Sequence, residues 1–183
     1  MSQLLTKGYQ QLNNVLPLDF CKQASKETTK HIKTQPISYD FERGFHFFWY
    51  NPPMLKDMLE VVKPRMEELV GEELFPTYSF LTTYTNNSYM LAHKDRAACE
   101  ISISINLSSP LDWKLYIKDL QEQEVALSTT VGNGVAYLGT KVEHWRNLLI
   151  SDKPQFFMQT FLHYVRANGE YADLKNDTSV HPV

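Results

Sequence analysis

The stretch SYMLAHKDRAACEISISINL, residues 88–107, decides the fold. Its second half, EISISINL, alternates apolar and polar residues at every step, which is the period of a β-strand with two different faces. Its first half reads as an incoming strand, SYMLA, followed by a turn, KDRAA. The tripeptide His93-Lys94-Asp95 lies at the junction, where side chains at i and i+2 of an extended segment project to one face. His93 and Asp95 can therefore reach a single metal ion.

The chain on either side of this stretch divides into helices before it and strands around and after it. A short strand at residues 9–15 precedes a helix that begins near Pro17 and ends near His31. A loop or edge strand rich in aromatics, residues 33–53, leads to an amphipathic helix over 54–70, which Pro64 is expected to kink or split. Strands are then predicted at 78–84, 89–93, 100–107, 113–117, 121–127, 134–138, 142–146 and 156–166, and residues 167–183 are expected to form an extended tail.

Helices followed by about eight short antiparallel strands predict an α+β protein. Strands at this spacing suit two facing sheets, so we expect a double-stranded β-helix core of the jelly-roll or cupin-like type, supported by N-terminal helices. We expect a single domain over 1–183, with a helical part at about 17–70, a β-helix core at about 77–166 and the tail at 167–183. The 183 residues are enough for a substantial core.

Composition excludes several classes of function. The net charge is −3, and we see no basic groove with interleaved aromatics, so nucleic acid is not expected as a partner. No run approaches the ~18 apolar residues of a membrane span, and we expect a soluble, cytoplasmic protein without a membrane partner. Cys21 and Cys99 form no CxxC pair, which favours two reduced, buried thiols over a disulfide or a zinc-thiolate site.

A third metal ligand has to come from another histidine. His144 follows the strand VAYLGTKVE, 51 residues after His93. His31 at a helix end and His181 in the tail are expected to be solvated, while His46 lies among aromatics and His163 reads as a packed or hydrogen-bonded strand residue. Two imidazoles and one carboxylate form the facial triad of non-haem Fe(II) oxygenases, which leaves coordination positions open. The alternative is that His93 and His144 are unrelated turn residues.

From about residue 77 to residue 164 the chain resembles the prolyl-4-hydroxylase-like branch of the 2-oxoglutarate/Fe(II) oxygenase superfamily. The resemblance rests on YTNNSYMLAHKDRAACEISISINL, on VGNGVAYLGTKVEHWRN and on the closing strand FMQTFLHYV. It is strongest to a bacterial and phage group with H-x-D-R-x-x-C-E-I-S and E-H-W-R at these places. The resemblance implies a double-stranded β-helix, Fe(II) held by His93, Asp95 and His144, and 2-oxoglutarate and O2 as co-substrates, with ascorbate as a further reductant.

The distal carboxylate of 2-oxoglutarate needs a buried cation, preferably an arginine that binds it in a bidentate manner. Prolyl hydroxylases usually carry this cation about ten residues after the distal histidine, but the last strand here begins PQFFMQ. The candidates are Arg146, which shares the inward face with His144, then Lys153 and Arg96. A tyrosine hydroxyl can assist, and Tyr84, with Thr82 as a shorter alternative on the same face, is the nearest upstream candidate.

The sequence does not identify the substrate. The family favours a peptidyl proline or another protein side chain, with a free amino acid or small metabolite next. Trp145 beside the distal histidine, Arg96 near the mouth, and Trp49 with Tyr50 on the aromatic segment are candidate substrate-binding residues, although each is also compatible with ordinary packing. Two other classes remain: a cupin-like metalloenzyme that does not use 2-oxoglutarate, and a non-catalytic β-helix module.

Overall fold

A computed structural model of the chain describes residues 1–108, 111–152 and 155–177. Its longer helices and its strands follow the predicted order. The helices are α1 (Gln3–Lys7), α2 (Leu18–Ile32) and α3 (Lys56–Val70). The strands are β1 (Tyr9–Leu12), β2 (Ser38–Asp40), β3 (Gly44–Tyr50), β4 (Leu74–Tyr84), β5 (Met90–His93), β6 (Ile101–Asn106), β7 (Leu115–Lys118), β8 (Glu124–Leu127), β9 (Gly134–Tyr137), β10 (Glu143–Arg146) and β11 (Phe157–Arg166).

The strands form two antiparallel sheets. The larger sheet has the order β1-β9-β6-β11-β4-β3-β2, and the smaller one has the order β5-β10-β7-β8. Buried apolar residues that include Leu115, Val135, Tyr137 and Val142 form a cluster with members from both sheets. Two facing sheets whose consecutive strands cross between them form a double-stranded β-helix, so the predicted α+β fold with this core is confirmed.

Strand β6 connects the helices with the space between the sheets. Its isoleucines, Ile101, Ile103 and Ile105, are fully buried and belong to the same core cluster as residues of α2 and α3. Ser102 and Ser104 point the other way, and both are at most 2% exposed. An alternating strand usually places its polar face in water. Here the polar face is turned inward, where it can take part in a site.

The N-terminal half contains more structure than the sequence predicts. Helix α1 has five residues, too few for a visible period, and it is capped by the Ser2 hydroxyl, which accepts from the Leu5 amide. The aromatic segment forms β2 and β3, which extend the edge of the larger sheet. Helix α3 is not split at Pro64. Val62, Met66 and Val70 keep its buried face in the core on both sides of the proline.

The C-terminal segment differs from an extended tail. Residues 172–174 form a short 3-10 helix, and Asp177 pairs with Arg96 near the opening between the sheets. Residues 178–183, including His181, lie outside the described part of the chain. Cys21 and Cys99 are both free and buried, as predicted. Within the described residues, no helix has the length and apolarity needed to span a bilayer.

Candidate metal centre

Strand register brings the two predicted histidine ligands together. His144 on β10 lies directly opposite His93 on β5, and their ring centroids are 4.4 Å apart. His144 is 2% exposed, whereas the His93 side chain is 36% exposed. The two histidines are 51 residues apart in the sequence, which does not show whether they meet. The pairing of β5 with β10 brings them together.

Asp95 completes the cluster from the turn after β5. Its amide donates to the Gly139 carbonyl at 2.9 Å, which fixes the turn against the loop between β9 and β10. Its Oδ1 lies 3.6 Å from His93 Nε2 and 3.5 Å from His144 Nε2. The three donor atoms lie within 4.8 Å of one another, a spacing that one metal ion can bridge.

Both imidazoles are oriented for metal binding. The Nδ1–H of His93 donates to the Leu91 carbonyl at 2.8 Å, and the Nδ1–H of His144 donates to the Val142 carbonyl at 3.2 Å. A carbonyl only accepts, so each ring carries its proton on Nδ1 and presents the lone pair of Nε2 to the cluster. Such backbone bonds are the usual means of fixing the tautomer and orientation of a metal-ligating histidine.

The charges of the cluster suit a divalent cation. Burial opposes ionisation of Asp95, but the adjoining imidazoles of His144 and His93 outweigh it and lower the pKa of Asp95 to about 2. Burial lowers the pKa of His144, which favours the neutral, ligating imidazole. Near neutral pH the site therefore offers one carboxylate and at least one neutral imidazole, a donor set that fits Fe(II).

A cavity of about 290 Å³ opens in front of these three residues. Its walls are largely aromatic, and its mouth carries charged side chains. The aromatic walls are Tyr50, Tyr78, Phe80, Tyr84, Tyr137 and Phe161, and the charged residues around the mouth include Glu42, Arg43, Lys94 and Arg96. A walled cavity with a few convergent polar groups is the usual form of a small-molecule or side-chain site.

A buried hydrogen-bond chain supports Asp95 from behind. Ser102 Oγ lies 3.3 Å from Asp95 Oδ2 and 2.8 Å from Nδ1 of His163. Ser102 and His163 are a cross-strand pair of β6 and β11, so their contact follows from the register of the larger sheet. Oδ2 is thereby engaged by Ser102, while Oδ1 remains directed at the two imidazoles.

Replacing Ser102 with alanine is expected to weaken Fe(II) binding by about 10-fold or more, since loss of an outer-shell partner of a metal ligand typically costs about 10–100-fold in affinity. Calorimetric titration with Fe(II) under anaerobic conditions measures this loss. Ser104→Ala is the matched control, because Ser104 lies on the same face of β6 but donates to Gln159. Equal metal affinities in the two variants would show that Ser102 does not orient the ligand.

Gly139 is required by the close approach of its loop to Asp95. A Cβ atom at this position would overlap the Cys99 carbonyl oxygen and lie 2.5 Å from Asp95 Oδ2. Gly139→Ala is therefore expected to lower the stability by about 1–3 kcal/mol, the usual cost of overpacking, and to displace the carboxylate. Chemical denaturation and metal titration measure the two effects. Gly71→Ala is the control, because a Cβ there meets nothing within 4 Å and only its backbone conformation (φ +82°) is strained.

Arg146 lies deeper between the sheets, on the same inward face of β10 as His144. It is 3% exposed and donates to the Trp113 carbonyl and, at 2.7 Å, to Gln159 Oε1. Its guanidinium also lies over the rings of Trp113 and Phe157. Burial lowers the pKa of Arg146 to about 10, so it remains charged at neutral pH. Within the described residues, this cation has no carboxylate partner.

Two buried N–H donors, one on this cation and one beside it, also lack partners. Arg146 Nε and Gln159 Nε2 have no hydrogen-bond partner in the described part of the chain. Unpaired buried donors cost about 1–3 kcal/mol each, so a buried cation with one unpaired donor of its own and a second on the adjacent Gln159 fits an anionic acceptor. A carboxylate is such an acceptor.

Tyr84, predicted to assist the cation in binding 2-oxoglutarate, lies between the cavity and the surroundings of Arg146. It lines the cavity, and its ring packs edge-on against Trp113 at 4.9 Å. Arg146 itself does not line the cavity. The Thr82 hydroxyl is buried and has no partner among the described residues. Lys153, the other candidate anchor, lies outside them.

The candidate substrate residues separate into two groups. Arg96 and Tyr50 line the cavity, and Arg96 is held by Asp177 at 2.6 Å. Trp145 is placed on the outer face of β10, stacked on Tyr116, because strand alternation that points His144 and Arg146 inward points it outward. Trp49 likewise faces the helices, where it stacks on His31 at 3.8 Å. The structure therefore places neither tryptophan in the cavity.

Sequence reasoning missed several cavity residues. Tyr78 and Phe80 on β4, and Phe161 and His163 on β11, point into the space between the sheets. In each strand the two residues are separated by two positions, a spacing that predicts side chains on the same face of the sheet. Arg43, which pairs with Asp40 at 3.3 Å, carried no such signal because it lies in the turn between β2 and β3.

No protein-family model and no curated protein sequence matches the chain, but solved structures do. A Pseudomonas putida prolyl-4-hydroxylase superimposes with a TM-score of 0.68 at 15% identity, covering 88% of this chain and 95% of that one. A Trichoplax adhaerens prolyl hydroxylase in complex with a hypoxia-inducible-factor peptide superimposes with a TM-score of 0.71 at 12% identity, covering 90% and 86%.

A third similar structure is that of the epimerase SnoN in complex with Fe3+, alpha-ketoglutarate and nogalamycin RO. It has a TM-score of 0.72 at 11% identity and covers 99% of this chain and 90% of that one. These structural similarities extend over nearly the whole of each chain. The sequence identities are low, so the similarities establish the fold alone. The chain thus has the double-stranded β-helix fold of the 2-oxoglutarate/Fe(II) oxygenases and their prolyl-hydroxylase-like branch.

Proposed function

We propose that this protein is an Fe(II)- and 2-oxoglutarate-dependent oxygenase whose iron is held by His93, Asp95 and His144. The observation that carries the proposal is the convergence of two Nε2 lone pairs and one ionised carboxylate at the wall of an open cavity. Two imidazoles and one carboxylate leave positions free for a chelating co-substrate and O2. A structural zinc site would be closed by four protein ligands instead.

Bound iron and 2-oxoglutarate would supply the oxidising chemistry, in which one atom of O2 enters succinate as CO2 is released and the other oxidises a C–H bond. The residues of this chain have other tasks. His93, Asp95 and His144 hold the metal on one side, so that its open positions face the cavity. The aromatic walls would limit the access of water to the reacting centre.

The co-substrate's distal carboxylate is assigned to Arg146. The support is its burial, its lack of a carboxylate partner among the described residues and the two unpaired donors, Arg146 Nε and Gln159 Nε2. Gln159 Nε2 supplies a neutral donor, and Tyr84 a hydroxyl at the inner end of the cavity. The cavity stops short of Arg146, so binding of the dicarboxylate in this position requires the side chains between them to move.

The substrate is assigned to a protein side chain, with peptidyl proline favoured and a free amino acid or small metabolite next. The likeness to two prolyl hydroxylases, one of them in complex with a peptide, supports this order. Arg96 and Tyr50 line the cavity that such a substrate would enter. SnoN, a non-heme alpha-ketoglutarate-dependent epimerase, is similar in fold, so the fold alone does not select a hydroxylation.

A second candidate is a cupin-like metalloprotein that does not use 2-oxoglutarate. One observation favours it: Arg146 does not line the cavity. Succinate formation separates the two readings. Protein reconstituted with Fe(II), 2-oxoglutarate and ascorbate is expected to form succinate on exposure to O2, even without substrate, and His144→Ala protein is expected to form none. Iron binding without succinate formation, alone or with proline-containing peptides, would support the second candidate.

A further inference from the structure

A second set of metal-ligating side chains lies on the other side of Asp95. Cys99 Sγ, a ring nitrogen of His163 and a carboxylate oxygen of Asp95 lie within 4.8 Å of one another. Cys99 belongs to the short 3-10 turn that follows Asp95, and His163 belongs to β11. Both line the cavity, and they are 3% and 5% exposed. The proposed oxygenase reaction uses neither as a ligand.

The three donor atoms of this set differ in the hydrogen bonds that they already make. Nδ1 of His163 is engaged by Ser102 at 2.8 Å, so Nε2 is left without a partner among the described residues. The sulfur of Cys99 has the Tyr78 hydroxyl at 3.0 Å as its neighbour. Asp95 directs Oδ1 at His93 and His144, and its Oδ2 lies on the side of Ser102. The carboxylate therefore presents a different oxygen to each set.

We propose that Cys99, His163 and Asp95 form a second cation site, selective for thiophilic divalent ions such as Zn2+ and Cd2+. Sulfur, imidazole and carboxylate are the donors that these ions accept in tetrahedral sites, and three protein ligands leave one position open to the cavity. The Cys99 proton is released to solvent as the metal–sulfur bond forms. This site does not depend on the oxygenase activity.

The chemistry of the two sets predicts which ion each one prefers. The triad contains no sulfur, so it does not discriminate in favour of soft metals, whereas the second set contains a thiol beside an imidazole. Cys21 provides an internal comparison, because it is equally buried but has no such cluster of ligands around it in the described residues.

Titration of the metal-free full-length protein with Cd2+ tests the proposal. A thiolate bound to Cd2+ produces an ultraviolet charge-transfer band, so wild type is expected to develop this band as Cd2+ is added. Cys99→Ala and Cys99→Ser are expected to abolish the band, and Cys21→Ala to retain it. His163→Phe is expected to weaken binding by at least the roughly 10–100-fold that loss of an outer-shell partner costs.

His93→Ala distinguishes this site from the iron site. That variant lacks a triad ligand and is expected to keep the charge-transfer band, whatever its activity with 2-oxoglutarate. Thermal unfolding and circular dichroism of each variant show whether it is folded. If Cys99→Ala does not fold, Cys99→Ser, which preserves the size of the side chain, replaces it in the test. A band that persists without Cys99, or Cd2+ binding to wild type without a band, overturns the proposal.

Discussion

Replacing Arg146 with methionine is expected to weaken 2-oxoglutarate binding by roughly 100-fold, because truncating one partner of a buried charge pair costs about 2–5 kcal/mol. Methionine has a similar length and no charge, so it fills the same space between Trp113 and Phe157. Iron binding should be unchanged, since the guanidinium contacts none of the three ligands. The visible charge-transfer absorption of the anaerobic Fe(II)·2-oxoglutarate complex reports the affinity directly.

Two further measurements separate an anchoring role from a structural one. The extra stability that saturating 2-oxoglutarate gives to wild type is expected to fall by about 2.7 kcal/mol for a 100-fold loss of affinity. Pyruvate carries the same 2-oxo acid group without the distal carboxylate. Wild type is therefore expected to prefer 2-oxoglutarate strongly over pyruvate, and Arg146→Met is expected to lose most of that preference.

Arg96→Met and Lys153→Met are the matched controls, because each removes one of the other candidate cations. Arg96 already pairs with Asp177 at 2.6 Å, so its removal is expected to leave the affinity for 2-oxoglutarate near that of wild type. If Lys153→Met or Arg96→Met loses the co-substrate and Arg146→Met keeps it, the anchor has been assigned to the wrong residue.

Replacing His93 with alanine is expected to reduce Fe(II) affinity by more than about 100-fold, the upper cost of losing an outer-shell partner alone. His93 is the most exposed of the three ligands, so its truncation disturbs the fold less than that of His144. Calorimetric titration with Mn(II) or Ni(II), which do not oxidise in air as Fe(II) does, measures the loss. Succinate formation should disappear with it.

His31→Ala is the control for this variant. His31 lies at the end of α2 and stacks on Trp49, outside the cavity, so its removal is expected to leave metal affinity unchanged. A His93→Ala protein that binds Fe(II) as tightly as wild type would contradict the triad. Loss of Fe(II) in His163→Phe but not in His93→Ala would move the iron to the other set of ligands.

Much of the fold was readable from local pattern. The alternation of EISISINL predicts β6, and eight strands after α3 were expected from similar alternation and from turn residues between them. Period alone also placed Arg146 on the inward face with His144. The same period assigns Trp145 to the outer face, away from the cavity, where it stacks on Tyr116.

Other features lay beyond local pattern. Strands β2 and β3 carry no alternation clear enough to distinguish an edge strand from a loop. Their state is decided by pairing of β3 with β4 and of β2 with β3. Pro64 is tolerated in α3 because residues before and after it are anchored in the core, which outweighs the loss of one helical hydrogen bond. In both places tertiary contacts override a local preference.

The tripeptide His93-Lys94-Asp95 and the strand that follows it therefore determined two things: a β-strand with two different faces, and two of the three ligands of a metal site. Only the tertiary structure decided that His144 pairs with His93, that the serine face of β6 is turned inward, and that His163 and Cys99 lie beside Asp95. The physical reason is that local sequence sets which face a side chain takes, whereas the register between strands far apart in the chain sets which side chains meet on that face.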